Sequence, residues 1–380
     1  MKILYFSRHY GAVTTTFIRN EVDFFRTEAN CRYLCNEVAS EYETDPLVQV
    51  LPFKEASILR KIRWVLWKKD LACWFYNPAY AARARQLVST FQPDIIHCHF
   101  GYEALQLLDN IPFGNYPVII HFHGYDATEM TRKKSYNRRL RKILTAPNVY
   151  PVSCNNFFVQ LLSTKLALPD LGFEVLRYGI DLNKFNPGAS RSNGHEKIFL
   201  QVSSLAEKKG HEFTISAFAK LVNANLEQEY RLILTGDGKR KQVLQDLAKS
   251  LGIESAVTFT GMVTPSEAAA LMKTADVFVH HSIQSSNGDM EGIPNAIIEA
   301  MAMELPVVST WHSGIPELVE NGLNGYLVKE KDVEDYAVRM KQALELGRLT
   351  VNRNKVEQYY DREKHNAQLM NLYNKILVAE

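Results

Sequence analysis

The stretch Gly288-Asp-Met-Glu-Gly-Ile-Pro-Asn-Ala-Ile-Ile-Glu-Ala-Met-Ala302 runs a polar, glycine-bearing loop into the start of an apolar helix. Pro294 suits a first helical turn, where its missing N–H costs nothing and its fixed φ is already helical. Unpaired backbone N–H groups and the positive end of the dipole make such a terminus an anion site. A phosphate, or a sugar attached to one, fits it. Glu291 stands before the helix and Glu299 inside it, with seven residues between. Carboxylates repel phosphate, but they accept hydrogen bonds from sugar hydroxyls. A nucleotide sugar offers hydroxyls on both sides of its diphosphate, hexose on one and ribose on the other. A glutamate ahead of a helix also stabilises it by about 0.3–1 kcal/mol through the dipole alone, so the two glutamates by themselves do not decide function.

Outward from this segment the chain keeps one rhythm. Leu305-Pro-Val-Val-Ser-Thr-Trp-His-Ser-Gly-Ile-Pro-Glu-Leu-Val319 reads as a buried strand, a glycine turn and a capped helix. Apolar, β-branched runs at 2–7, 48–53, 94–99, 117–123 and 173–178 alternate with helical patterns at 16–26, 78–91 and 155–168. A second set has strands at 197–202, 231–235, 257–260, 276–280, 306–309 and 325–328, with helices at 212–223, 241–251, 266–274, 295–303 and 332–346. Such alternation predicts an α/β fold of parallel sheets covered by helices on both faces. Between the sets, residues 186–194 are rich in turn formers and have almost nothing to bury. They are read as a linker between two Rossmann-like domains, 1–186 and 187–360. Residues 361–380 end a long helical pattern, about 352–378, that is expected to pack back on the first domain.

Composition narrows the function classes. A chain of 380 residues is most simply two domains, and 46% hydrophobic with 23% charged residues is an ordinary globular balance. The net charge of +2 argues against a dedicated nucleic-acid binder. No apolar run nears the roughly 18 residues of a membrane-spanning helix, and the first apolar run stops at Ser7 and Arg8, short of a signal peptide. The expected location is cytoplasmic. Five cysteines, Cys31, Cys35, Cys73, Cys98 and Cys154, include no CxxC pair and read as structural thiols.

Charge is not evenly spread. Residues 1–180 carry 22 Lys+Arg against 16 Asp+Glu, a net of +6, which leaves 22 against 26, or −4, for the rest. One basic cluster, 54–69, sets Arg60, Lys61, Arg63 and Lys68 around Ile58, Leu59, Trp64, Val65, Leu66 and Trp67. That is the pattern of an interfacial membrane helix, and equally of a solvated helix whose tryptophans pack on the core. The other cluster, 131–142, has seven basic residues and no acid; its low apolar content favours a solvated or substrate-side surface.

Glu291 to Glu299, with Pro306-Val-Val-Ser-Thr310 and Ser313-Gly-Ile-Pro-Glu-Leu-Val319 behind it, resembles the signature of the family 4 retaining glycosyltransferases. The likeness runs through Thr15-Thr-Phe-Ile-Arg-Asn-Glu21, Pro93-Asp-Ile-Ile-His97, His121-Phe-His-Gly-Tyr-Asp126, Tyr178-Gly-Ile-Asp-Leu-Asn-Lys-Phe185, Lys208-Lys-Gly210 and Gly325-Tyr-Leu-Val328, in order and over nearly the whole chain. Gly288-Asp-Met-Glu-Gly-Ile-Pro294 is most similar to the exopolysaccharide branch, the colanic-acid and amylovoran type.

The resemblance implies a GT-B fold, two Rossmann-like domains facing across a cleft. It also implies transfer of a sugar from a nucleoside-diphosphate donor, with UDP expected. The implied acceptor is a glycan or polyprenyl-diphosphate-linked saccharide, met at the inner face of the cell membrane through peripheral contact of the basic first domain with anionic lipid. Glu299 would bind the ribose and Glu291 the donor sugar, with Gly292, Ile293, Pro294 and Asn295 facing the sugar and diphosphate. Lys209 would neutralise the departing diphosphate, so no metal and no other cofactor is expected, and the chain has no Asp-x-Asp motif. Gly11, in the loop 10–14, would approach the pyrophosphate, and His123 the donor sugar. Gly261 and Met262 join the expected donor-binding set.

His97 and His99 are read as ordinary strand-end histidines, His280 and His281 carry no assignment, and Gly236-Asp-Gly238 is only a weak phosphate-loop hint. Ser204 departs from the family pattern, Gly-Arg-Leu then three residues then Lys-Gly, by standing where the arginine belongs. Hydrogen bonds to charged groups contribute about 1.5–3 kcal/mol, and each 1.4 kcal/mol is about tenfold. Lys208, Lys239 or Arg240 is expected to substitute. The alternatives are a non-catalytic nucleotide-sugar or glycan-binding protein, which Ser204 motivates, and a nucleotide-sugar 2-epimerase on the same fold.

Overall fold

Ile3, Leu4, Tyr5 and Phe6 are all buried, so the first run meets neighbours on both faces, as a central strand of a parallel sheet does. The computed structural model describes residues 1–11, 16–188 and 195–378. Residues 12–14 of the expected pyrophosphate loop and 189–194 of the expected linker lie outside them.

The chain forms two compact units, Met1–Arg177 with His365–Glu380, and Tyr178–Lys364. They divide upstream of the boundary at 186 that composition suggests. In the first unit the strands are β1 (Lys2–Phe6), β2 (His9–Tyr10), β3 (Asn30–Cys35), β4 (Glu37–Val38), β5 (Val48–Val50), β6 (Ile95–His99), β7 (Val118–Phe122), β8 (Val149–Ser153) and β9 (Glu174–Val175). Seven of them make one parallel sheet in the order β5-β3-β1-β6-β7-β8-β9, and β2 pairs with β4 apart from it. Its helices are α1 (Thr16–Glu28), α2 (Ser57–Lys68), α3 (Pro78–Phe91), α4 (Gly101–Leu108), α5 (Lys134–Leu144) and α6 (Asn156–Leu166).

The periodicity reading omits the two-residue β2 and β4 and, within the seven-stranded sheet, β3 and β8. β3 reads Asn-Cys-Arg-Tyr-Leu-Cys, with Asn30 and Arg32 exposed, and β8 carries Pro151, which lowers strand preference. The 173–178 run shrinks to the two-residue β9 at the sheet edge.

The second unit holds β10 (Lys197–Val202), β11 (Tyr230–Thr235), β12 (Val257–Gly261), β13 (Val277–Val279), β14 (Val307–Thr310) and β15 (Gly325–Val328), parallel in the order β12-β11-β10-β13-β14-β15. Around them run α7 (His211–Ala224), α8 (Lys241–Ser250), α9 (Pro265–Thr274), α10 (Asn295–Ala302), α11 (Ile315–Leu318), α12 (Val333–Leu346) and α13 (Thr350–Tyr359). Apolar clusters fill both faces: Leu200, Phe278, Ile297, Met301 and Val307 are in one, Phe199, Phe218, Leu232 and Met340 in the other.

The long C-terminal pattern is not one helix. Ile180 donates its N–H to the Tyr360 carbonyl (2.9 Å) and accepts from the Arg362 N–H (3.1 Å). This strand-like bridge ends α13 and starts α14 (Arg362–Val378). From His365 on, α14 belongs to the first unit, where Leu369, Tyr373 and Ile376 share a core with Ile3, Tyr5, Phe25 and Ile95.

The two basic clusters fold differently. On α5, Tyr136, Leu140, Ile143 and Leu144 are buried and the cations face outward. On α2 no residue is buried. Its tryptophans part company: Trp64 is 57% exposed, whereas Trp67 lies 5.5 Å from the Tyr102 ring. Ile58, Leu59, Ile62 and Val65 are exposed with Trp64.

Gly210 caps α7 at φ +58°, where an added Cβ would lie 1.9 Å from the His281 carbonyl oxygen. Gly252 has φ +71° with open space around it. Left-handed backbone costs an L-residue about 1–2 kcal/mol, so Gly252→Ala is expected to cost about that much. Gly210→Ala carries the same penalty plus the clash, and its thermal midpoint should fall distinctly further; equal losses would mean that the His281 carbonyl does not crowd this turn.

Candidate active site

Strand order in the second unit reverses between β10 and β13, and ligands of open α/β sheets bind at the carboxyl ends of the strands at such a point. Two loops leave the sheet there, 203–210 and 280–294. They are stitched together by the Ile283 N–H to the Lys208 carbonyl (3.0 Å). Ser286 adds its N–H and Oγ–H, which donate to the Glu207 carboxylate at 3.0 and 2.8 Å.

Glu291 and Lys209 meet across this junction, Lys209 Nζ to Glu291 Oε2 at 2.8 Å. Lys208 Nζ lies 3.2 Å from Glu291 Oε1 and 2.8 Å from Asp289 Oδ2. Burial alone would raise the Glu291 carboxyl, but the two lysines hold it far below the usual carboxylate range. For Lys208 burial opposes the charge, and Glu291 with Asp289 keeps its ammonium above its ordinary value. The site therefore holds a carboxylate that stays ionised and two cations next to it. Buried His280 stands near Lys209, and burial followed by that charge pushes its imidazole well below the ordinary range.

Pro294 is the cap of α10 and Asn295 opens the helix, at the start that the 295–303 pattern gives. Gly292 and Ile293 are buried at the approach. The Glu299 carboxylate, further along α10, is enclosed by the fold and faces the Lys184 charge, while its backbone carbonyl accepts from the Met303 N–H (3.1 Å). Burial pushes its carboxyl up to about 7, against the pull of the Lys184 charge.

Ser204, Gly261 and Met262 sit at the carboxyl ends of β10 and β12, on either side of β11. Ser204 is exposed. Gly236, at the end of β11, bonds its N–H to the Gly261 carbonyl (2.7 Å), and Met262 is exposed beyond it. Of the three cations expected to replace the missing arginine, Lys208 is taken up by Asp289 and Glu291, and Arg240 pairs with Glu212 at 3.1 Å. Lys239 is exposed and makes no ion pair among the described residues.

Gly11 and His123 belong to the first unit. Gly11 has φ +84° beside the Tyr42 ring. Asp126 accepts from the N–H groups of Gly101, His123 and Gly124 and so fixes the turn that carries His123. The buried His123 ring lies against Phe17 and Phe100, with Nε2 3.1 Å from His99 Nδ1.

His312 and Glu330 escaped the sequence reading. The Glu291 N–H donates to His312 Nε2 (3.1 Å), so Nδ1 carries the ring proton and donates it to Glu330 Oε1 (2.7 Å). The other Glu330 oxygen accepts from the Gln284 N–H (3.0 Å). Glu330 thus braces the Glu291 loop at two points, and the adjoining Lys331 N–H donates to His281 Nε2 (2.8 Å). His312 follows β14 at the same end of the sheet as the other loops, the signal that could have found it.

The glycosyltransferase family 4 profile matches residues 33–184, and the profile described as glycosyl transferases group 1 matches residues 183–362. The chain is 30% identical over 305 residues to a putative colanic acid biosynthesis glycosyltransferase, WcaL, of Salmonella typhimurium, covering 78% of this chain and 74% of that one. It is 29% identical over 376 residues to the amylovoran biosynthesis glycosyltransferase AmsK of Erwinia amylovora, covering 89% of each. The crystal structure of Anabaena Alr3699/HepE with UDP-glucose superposes with a TM-score of 0.73 at 18% identity, over 99% of this chain and 100% of that one. The chain belongs to the family 4, group 1 glycosyltransferases. It is a glycosyltransferase, and its fold is GT-B.

Removing the carboxylate that fixes the His312 tautomer should release it. In the wild type, nitrogen-15 spectra are expected to show His312 protonated at Nδ1. Glu330→Ala should give a tautomer mixture and lose about 1–3 kcal/mol, the cost of a buried polar group left unpaired. An unchanged tautomer would show that Glu330 does not set it.

Proposed function

We propose that the protein transfers a sugar, with retention, from a UDP-sugar to a lipid-linked saccharide in surface polysaccharide synthesis, without a metal ion or other cofactor at the donor site. The observation that carries the reading is the Lys209–Glu291 pair at the strand reversal beside the start of α10. The α10 terminus and Lys209 receive the diphosphate. An ionised Glu291 accepts from donor-sugar hydroxyls, and Glu299 accepts from the ribose. Because Glu291 is held ionised, it is suited to accepting hydrogen bonds and not to donating a proton. The bond from the anomeric carbon to the diphosphate oxygen breaks as the acceptor oxygen attacks on the same face, and the acceptor proton passes to the leaving diphosphate. Lys209 and Lys208 offset the charge that develops there. The relatives named for colanic acid and amylovoran synthesis support the polymer class, and the UDP-glucose-bound HepE supports the donor.

An acceptor site is proposed in the first unit. A cavity of about 510 Å³ lies against α2, walled by aromatic rings of Phe53, Trp64, Trp74, Phe75 and Tyr102 and by Arg8 and Arg63. Arg8 stands over the Phe75 and Tyr102 rings, and Arg63 over Phe53 and Trp74. Rings offer faces for sugars and guanidinium groups bind phosphate bidentately. The exposed Ile58, Leu59, Ile62 and Val65 of α2 are proposed to lie in the headgroup region of an anionic leaflet, beside the cations. No helix among the described residues is long and apolar enough to cross a membrane.

Three outcomes are expected. Lys209→Ala and Glu291→Ala each lose about a hundredfold or more in transfer, the scale for removing one group aimed at developing charge; transfer at wild-type rate would end this assignment. UDP should weaken as pH falls below about 7, because Glu299 must be ionised to accept from ribose and its carboxyl titrates at about 7. Calorimetry of Glu299→Gln should show weaker binding without that slope, and a slope that persists would point to another group. Vesicles containing phosphatidylglycerol should sediment the protein, less so at high salt, and a Trp64→Ser, Ile58→Ser double variant should remain in the supernatant.

A further inference from the structure

The geometry points to a second site in the first unit: His97, His99 and His121, with Glu21 beside His99 as the fourth group, form a closed structural site for a divalent metal ion of the zinc class. His97 and His99 project from one face of β6, and His121 sits on the adjacent β7, directly across from His99. One ring nitrogen from each lies within 4.8 Å of the others; in a tetrahedral zinc site with bonds of about 2.0–2.1 Å, such nitrogens stand about 3.3 Å apart. All three rings are fully buried and Glu21 is 1% exposed.

Unmet hydrogen-bonding capacity converges here. His97 Nε2, His99 Nε2, both ring nitrogens of His121 and Glu21 Oε2 are buried without a hydrogen-bond partner, and each is a standing desolvation cost. Glu21 Oε2 lies 3.7 Å from His99 Nε2, near the spacing of two ligands on one ion. Two of the three rings are held through their other nitrogen, as an outer partner orients a metal-bound histidine. His97 Nδ1 meets the Tyr373 hydroxyl (2.7 Å), which in turn meets Tyr5 (3.1 Å). His99 Nδ1 meets His123 Nε2 (3.1 Å). With both Nδ1 atoms engaged, the Nε2 atoms are the ones left for a metal. Glu21 is held through its other oxygen by His365 Nε2 (3.1 Å), and His365 Nδ1 donates to the Arg177 carbonyl (2.7 Å).

The donor set selects the ion. Three imidazoles and one carboxylate, with no thiolate, suit zinc and its first-row neighbours, and a site sealed from solvent is structural rather than hydrolytic. The rings stack at 20° to 29°, so binding asks for rotation about χ2, a soft torsion in histidine. An ion there would tie β6, β7 and α1 together, with α14 joined through His365.

The test is metal analysis of the purified full-length protein after dialysis against chelator-treated buffer. About one zinc-class ion per chain is expected, falling to background in His99→Gln and His121→Gln that still bind UDP. Should those variants fail to fold, wild-type protein refolded with cobalt(II) is expected to show the intense visible bands of a four-coordinate, nitrogen-ligated ion. Wild-type protein that is folded yet takes up neither zinc nor cobalt overturns the proposal, as does a variant that retains the metal.

Discussion

Two lysine ammonium groups keep the Glu291 carboxylate ionised at a strand reversal where burial alone would neutralise it. Much of the second unit serves that balance. The reversal of strand order brings the loops after β10 and β13 together. Gly210 lets the first loop turn against the His281 carbonyl, and Glu330, through His312 and Gln284, holds the second loop at two points. Withdrawing any one cation would leave a buried charge unmatched, which is far costlier than never having built the pair. A ligand that brings its own anion and its own hydroxyls can enter without that cost. It offers phosphate oxygens to the lysines and hydroxyl donors to the glutamate.

Those parts were legible in the sequence to unequal degrees. Glu291 and Glu299 were readable because Gly292 and Pro294 mark a loop running into a helix, and Lys209 because Lys208-Lys-Gly210 resembles the family motif. The strands of the second unit follow continuous apolar runs and were found within a residue or two. β3 and β8 were not, since alternating Asn30, Arg32 and the imide of Pro151 hide strands whose burial comes from tertiary neighbours. His312 was hidden for another reason: its place after β14 marks it as near the site, but its role rests on hydrogen bonds to Glu291 and Glu330, distant in sequence. The break at Tyr360 was equally unreadable, because it depends on pairing with Ile180 across the whole second unit.

The surface of the first unit shows how one basic segment differs from another. Both α2 and α5 are cationic, and sequence separates them only by the lower apolar content of the second. Packing separates them. α5 spends its apolar residues on the core, while α2 keeps Ile58, Leu59, Ile62 and Trp64 outward beside Arg60 and Lys61. Monomers seldom expose a contiguous apolar patch of this kind without a use for it.

The C-terminal helix also sets an order of events. Leu369, Tyr373 and Ile376 complete the core around β1, so the first unit lacks part of its interior until α14 has left the ribosome. The second unit is one continuous segment, Tyr178–Lys364, and has all its strands while the helix is still being made. Domains usually fold in the order of synthesis. In this chain the N-terminal half is finished last, and during that interval it presents the unfilled groove where α14 will lie to whatever holds nascent chains.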